Sequence, residues 1–307
     1  MSYDGIHDKS SWASSKQFPV SFACRFLALM RSSQRRRCSR KSRATIGRMR
    51  TDPLEQRFDR ILEVLLAMYP YGRTWPRFKK THAEVTHIAH GWYVRFKRDV
   101  QSTMLLAEHG FAEEASPLRR SIVEHVVALR WLAACGSEVA DVVRRGNANA
   151  AGRKQAAFEG AGWTILNPEA LTDAIDQMDD PDERDRYLNF KQRAQDFGGA
   201  HHWADYLNEI SHVHPCWESA FPYIDEVNGT PTPRSEPKPM PSQAIFCTVR
   251  LHEALYVLDS MVEGEPQHRR LEDLWFNRIR PLVIERRKAE GLDIPADLLD
   301  KGSQSSE

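Results

Sequence analysis

The chain has 307 residues, 41% hydrophobic and 28% charged, with 16 glycines and 17 prolines. That is a globular balance, far from collagen-like, disordered or disulfide-scaffold composition. No stretch approaches the roughly 18 uninterrupted apolar residues of a membrane-spanning helix, and Cys24, Cys38, Cys135, Cys216 and Cys247 form neither a CxxC pair nor a zinc-finger spacing. A transporter, a metal ribbon and a disulfide framework are set aside, no membrane contact is expected, and the cytoplasm is the expected compartment.

The formal charge of +1 hides an asymmetry. The first 50 residues carry 12 Lys or Arg against Asp4 and Asp8, a net +10, which leaves 31 basic and 40 acidic residues, a net −9, in 51–307. Residues 1–48 are expected to be a basic extension, either disordered or upstream of the true start, because Met49 stands just before a strong helix start. A nucleic-acid-binding arm and an Arg-rich, Ser-rich targeting peptide are the competing readings. A secretory signal is excluded, since Arg25 interrupts the apolar stretch 18–30 and two aspartates precede it.

From 49 onward one helical domain is expected. Asp52, Pro53 and Glu55 supply an N-cap, a first-turn proline and a carboxylate in the third helical position. Apolar residues then recur at spacings of three and four. The spacing predicts helices over 53–69, 77–109, 116–135, 138–160, 168–178, 181–197, 201–214, 242–263 and 267–290, an all-α bundle of eight or nine helices without a significant sheet. Pro231, Pro233, Pro237, Pro239 and Pro241 make 228–242 a proline-rich loop. A ligand for a proline-binding domain is the second reading of that loop. No glycine-rich phosphate cradle is present, so no nucleotide or other cofactor is expected. Arg269, Arg270, Arg278, Arg280, Arg286 and Arg287 on the last helix read as solvated charge or as a local nucleic-acid patch.

The segment 118–134 is the most informative. Leu118, Ile122, Val126, Leu129 and Ala133 make one face, with His125 at its edge, while Val127 and Trp131 lie opposite. A helix apolar on two sides is buried. Arg120 and Glu124, four apart and on the second side, are therefore expected as an ion pair inside the fold, with Arg119 and Arg130 pointing elsewhere.

On the segment 201–214, His201, Asp205, Glu209 and His212 form one stripe of potential metal ligands opposite Trp203, Leu207 and Ile210. A solvated polar face is the expected reading and a single exposed metal site the alternative. Glu-x-x-His occurs twice, at Glu84 with His87 and at Glu209 with His212, as in di-iron bundles, but His87 is expected on the side away from the bundle interior, which disfavours such a centre. His214, just before Pro215, is expected to turn inward at the helix end as a core histidine or as a general acid or base facing Arg120 and Glu124. Cys216 and Cys247 read as small core residues.

The run Leu105-Leu106-Ala107-Glu108-His109-Gly110-Phe111, then Arg120-Ser121 and Glu124, followed by Ser211 and His214-Pro215, resembles a bacterial family of all-helical proteins defined only as a domain of unknown function, with an Arg-Ser-x-x-Glu motif ahead of Ser-x-x-His-Pro. The resemblance covers roughly residues 90–220. It implies that Arg120, Ser121, Glu124, Ser211, His214 and Pro215 are the family positions, and it suggests a distant likeness to the HEPN helical domains of toxin and phage-defence systems. HEPN ribonucleases space an Arg four to six residues from a His, as Arg120 and His125 are here; Arg77 and Arg119 match the same spacing. Two functions follow as expectations. One is a non-catalytic interaction module in stress or phage defence, binding a protein partner or its own copy. The other is a HEPN-like ribonuclease or toxin acting on RNA through Arg120, Glu124 and His214, with Ser211 as a further candidate.

Overall fold

The computed structural model describes residues 52–69, 76–163, 182–215, 217–227, 230–237, 243–295 and 298–299. The basic segment 1–48 and the helix expected over 168–178 lie outside the described residues. The architecture is all-α. Helix α1 (Pro53–Ala67) starts where expected, with the Leu54 N–H donating to the Asp52 carboxylate at 2.9 Å. A 3-10 turn (Lys80–Val85) leads into α2 (Thr86–Glu108), which Gly110, at φ +83°, turns back into α3 (Ser116–Cys135). Then come α4 (Glu138–Gly160), a 3-10 turn (Glu183–Leu188), α5 (Phe190–Phe197), α6 (Ala200–Val213) and the short α7 (Trp217–Ala220). After a small hairpin, α8 (Gln243–Met261) crosses the core. α9 (His268–Leu274) continues through a π-turn (Trp275–Ile279) into α10 (Arg280–Ala289).

Helix α8 is the hub because it is apolar nearly all round: Ala244, Cys247, Leu251, Ala254, Leu255, Leu258 and Met261 are all buried. It runs alongside α1 in the same direction, since Thr248 meets the Phe58 carbonyl and Tyr69 bonds Asp259 farther along. It also runs parallel to α3, with Arg119 reaching Gln243 and Arg130 reaching Glu253. Helices α2 and α3 are antiparallel: Asp99 meets Ser121, and Trp92 stacks on Trp131 at 6.4 Å. No helix among the described residues is long and apolar enough to cross a membrane.

Three expectations change in detail. The cap of the segment after Pro181 is Asp182, which forms a capping box with Asp185 and opens a 3-10 turn rather than one long helix. The proline-rich stretch is not all loop: Ile224–Val227 (β1) pairs antiparallel with Thr230–Pro233 (β2). On the last helix several arginines are internal ties rather than a patch. Arg286 reaches Asp52, Glu55 and Glu290, while Arg280 and Arg287 donate to the carbonyls of Leu298 and Asp293.

Candidate functional site

Helix α3 presents different chemistry to each neighbour. Toward α6 it places Ser116 and Arg119 against Glu209. The Arg119 Nε donates to Glu209 Oε2 at 2.9 Å, Nη2 lies 2.9 Å from the same oxygen, and Nη1 donates to the carbonyl of Ala112 and to Gln243 Oε1 at 3.1 Å. Ser116 Oγ is 2.8 Å from both the carboxylate and the carbonyl oxygen of Glu209. The two charged side chains are 2% and 6% exposed. This is a sealed ion pair, and it joins the N-terminal turn of α3 to α6 and α8.

Arg120 and Glu124 do pair, at 3.0 Å, but at 31% and 32% exposure they border the core instead of lying inside it. The Arg120 guanidinium sits 5.0 Å from the centre of the Tyr206 ring, which stacks on Phe190 at 4.2 Å and on Trp203 at 5.5 Å. Arg193 lies over Trp131 and Phe190 nearby. Burial lowers its proton affinity, and the Glu124 charge acts the other way. The correction to the sequence reading has a geometric cause. At about 100° per residue, Arg119 falls midway across the combined apolar arc of α3, whereas Arg120 and Glu124 fall toward its rim.

His125 is turned toward α2, away from Arg120. Its Nδ1 is 2.7 Å from the Ser121 carbonyl oxygen, so that nitrogen carries the proton, and Ser121 Oγ donates to the buried Asp99 at 2.7 Å. Burial lowers the proton affinity of this imidazole. The Arg120 and His125 side chains thus address different helices, α6 and α2.

At the far end of α6, His214 is exposed rather than inward, because the residue before Pro215 is held extended at φ −92°, ψ 148°. Ser211 donates to the Asn208 carbonyl of its own helix at 2.8 Å. The structure therefore brings Arg120 to Glu124 and leaves His214 facing solvent. The ligand stripe of α6 is solvated at its start, where His201 is exposed, but not along its length. Glu209 is buried on Arg119, Asp205 bonds Arg250, His212 lies 3.6 Å from Glu113, and His201 contacts His202. Glu84 and His87 line an open cavity of about 570 Å³ beside the start of α4, at the opposite end of α3 from Glu209. The two Glu-x-x-His pairs do not share a centre.

A second polar cluster lies between α3, α6 and α8 at the C-terminal end of α3. Glu253 accepts from Arg130 and from Arg250, the latter at 2.8 Å, and its Oε1 is 2.9 Å from Nε2 of the fully buried His202. Burial works against ionisation of Glu253, but the His202 contact and the charges of His202, Arg250 and Arg130 outweigh it and hold this carboxyl below its usual range. Sequence reasoning passed over Arg119, Arg130, His202, Arg250 and Glu253. Cys247, by contrast, is the inert core thiol expected, pushed up to about 12 by burial.

Residues 86–231 match the model of a family of unknown function, DUF5677. Neither the curated proteins nor the solved structures give a significant match to the chain. The matched segment contains Ser116, Arg119, Arg130, His202, Asp205 and Glu209, while their partners Gln243, Arg250 and Glu253 on α8 lie beyond its end. Helix α8 thus completes the polar contacts of the matched segment from outside it.

Proposed function

We propose that this chain is a non-catalytic helical interaction module that acts in the cytoplasm on a protein partner or a second copy of itself, in the stress or phage-defence setting that the HEPN resemblance implies. The observation that supports it is where the charges of the DUF5677 segment go. Arg119, Glu209, Arg130 and Asp205 are engaged by side chains of neighbouring helices, an arrangement that fixes helix packing rather than exposing reactive groups. Leu105, Phe111, Leu207 and Phe221 remain exposed, on elements held together by the Ser116 to Glu209 and Tyr223 to Glu114 bonds, and supply apolar surface for a partner.

The second reading, RNA cleavage by Arg120, Glu124 and His214, draws on the solvent access of all three. Expression of wild type, Arg120→Ala and His214→Ala in a bacterial host, with growth and RNA integrity followed and the purified chain sized by light scattering, separates the two. The module reading expects intact RNA, normal growth and a self-associated or partner-bound species. RNA degradation that disappears in both variants overturns it in favour of the nuclease.

A further inference from the structure

Two stretches of the chain contain no lysine or arginine: the 20 residues between Arg98 and Arg119 and the 40 between Arg193 and Arg234. At the average frequency of 43 in 307 they would hold about eight, yet they carry ten acidic residues and none of these cations. The fold brings both stretches to one end of the bundle. Ser116 bonds Glu209, the Tyr223 hydroxyl donates to Glu114, and His212 lies 3.6 Å from Glu113. The flanking cations do not offset the excess, since Arg119 is taken by Glu209 and Arg234 by Asp225. Glu108, Glu218 and Glu226 are exposed around the same end.

The negative field registers on the groups inside it. Burial raises the proton affinity of Glu113, and the Glu114 and Glu209 carboxylates reinforce this against His212 and Arg119. Burial and the Glu114 carboxylate push the Tyr223 hydroxyl up to about 12. Among these acids Phe111 and Phe221 are each 51% exposed. Both are held on ordered backbone: the Phe111 N–H donates to the Leu106 carbonyl at 2.8 Å, and Phe221 opens the 3-10 turn that ends at Tyr223. Rigid aromatic side chains presented to solvent are effective docking anchors.

We propose that this end of the bundle docks a basic segment of a partner protein, one that sets lysines or arginines beside apolar residues, with the apolar residues seated on Phe111 and Phe221 and the cations among the surrounding carboxylates. The proposal rests on the module reading above and names the chemistry of the partner. Charge selects the occupant. A second copy using this face in a two-fold contact would bring like charge against like, whereas a basic segment supplies the cations that both stretches lack.

The test titrates the full chain into a fluorescein-labelled synthetic peptide of leucine and lysine in a helical repeat and follows anisotropy. Two control peptides carry glutamate in place of lysine or serine in place of leucine. Wild type, Phe111→Ser, Glu113→Gln with Glu114→Gln, and Phe276→Ser are compared, and thermal midpoints verify that each is folded. The expected result is one saturable site in wild type and in Phe276→Ser, whose exposed ring lies on the π-turn. The other two variants should bind at least about tenfold more weakly, affinity should fall as salt rises from about 0.05 to 0.5 M, and neither control peptide should bind. Equal affinity in wild type and Phe111→Ser, binding of the glutamate peptide, or no saturable binding at all would overturn the proposal. A wild-type dimer seen by light scattering and dissolved by Phe111→Ser would give this face to a second copy, overturning the basic partner while leaving the module reading in place.

Discussion

Replacing Glu209 by alanine should be among the most damaging single changes in the chain, and the structure says by how much. The substitution removes the acceptor of the Arg119 Nε and the counter-charge of a guanidinium that is 2% exposed. Arg119 keeps only the Ala112 carbonyl and Gln243, and Ser116 keeps the backbone oxygen of residue 209. An uncompensated buried charge of this kind costs about 3 to 5 kcal/mol. Arg120→Ala, which breaks a pair about one third exposed and the contact with the Tyr206 ring, should cost about 1 kcal/mol. The paired replacement Arg119→Met with Glu209→Leu removes both desolvation penalties and should recover most of the loss. Urea denaturation followed by circular dichroism measures all four proteins, with the slope serving as a check that the unfolding transition is unchanged. The reasoning fails if Glu209→Ala costs less than about 1 kcal/mol, or if the double variant loses at least as much stability as Glu209→Ala.

Gly136→Ala should destabilise by more than about 1 kcal/mol, because residue 136 sits at φ +56°, ψ −130° and a Cβ there would stand 2.8 Å from the Thr81 carbonyl oxygen; an unchanged thermal midpoint would contradict this. Stability should also depend on mild acid. Burial lowers the proton affinity of His252 in the folded state, although its bond to the Leu271 carbonyl and the Glu253 charge act the other way, and His125 is lowered in the same direction. The unfolded chain, with imidazoles near pKa about 6.5, then binds more protons than the folded one below that value. Stability is therefore full above about pH 6.5 and falls as the pH drops toward the folded values. Urea midpoints measured across this range should fall less steeply for His252→Gln than for wild type, and parallel curves would count against the assignment.

Much of the fold is legible in the sequence because α3 and α4 are marked at both ends. Gly136 closes one helix and the next begins two residues later, so 116–135 and 138–160 are found where the spacing predicts. The site is less legible, for a reason visible on α6. A hydrophobicity count assigns Trp203, Leu207 and Ile210 to the core and the stripe from His201 to His212 to solvent. Yet Leu207 is 45% exposed, while Glu209 is buried. Within that stripe Glu209 and Asp205 turn toward the core because their partners, Arg119 and Arg250, come from helices distant in sequence, and no periodicity on one helix reports the charge of another. On α3 the apolar arc itself favours burial of Arg119 over Arg120, but the carboxylate that seals Arg119, Glu209, comes from α6 and is not reported by the periodicity of α3.

The small hairpin has a bearing on solubility. Along β2 threonines alternate with prolines, and because successive N–H groups point to opposite sides, Thr230, Thr232 and then Arg234 face β1; the Arg234 N–H donates to the Tyr223 carbonyl at 2.8 Å. Pro231 and Pro233 are left on the outward side, where they offer no donor to an incoming chain. The rim of this ribbon is self-terminating: the residues that give it an extended shape also deny a neighbouring molecule the means to zip onto it.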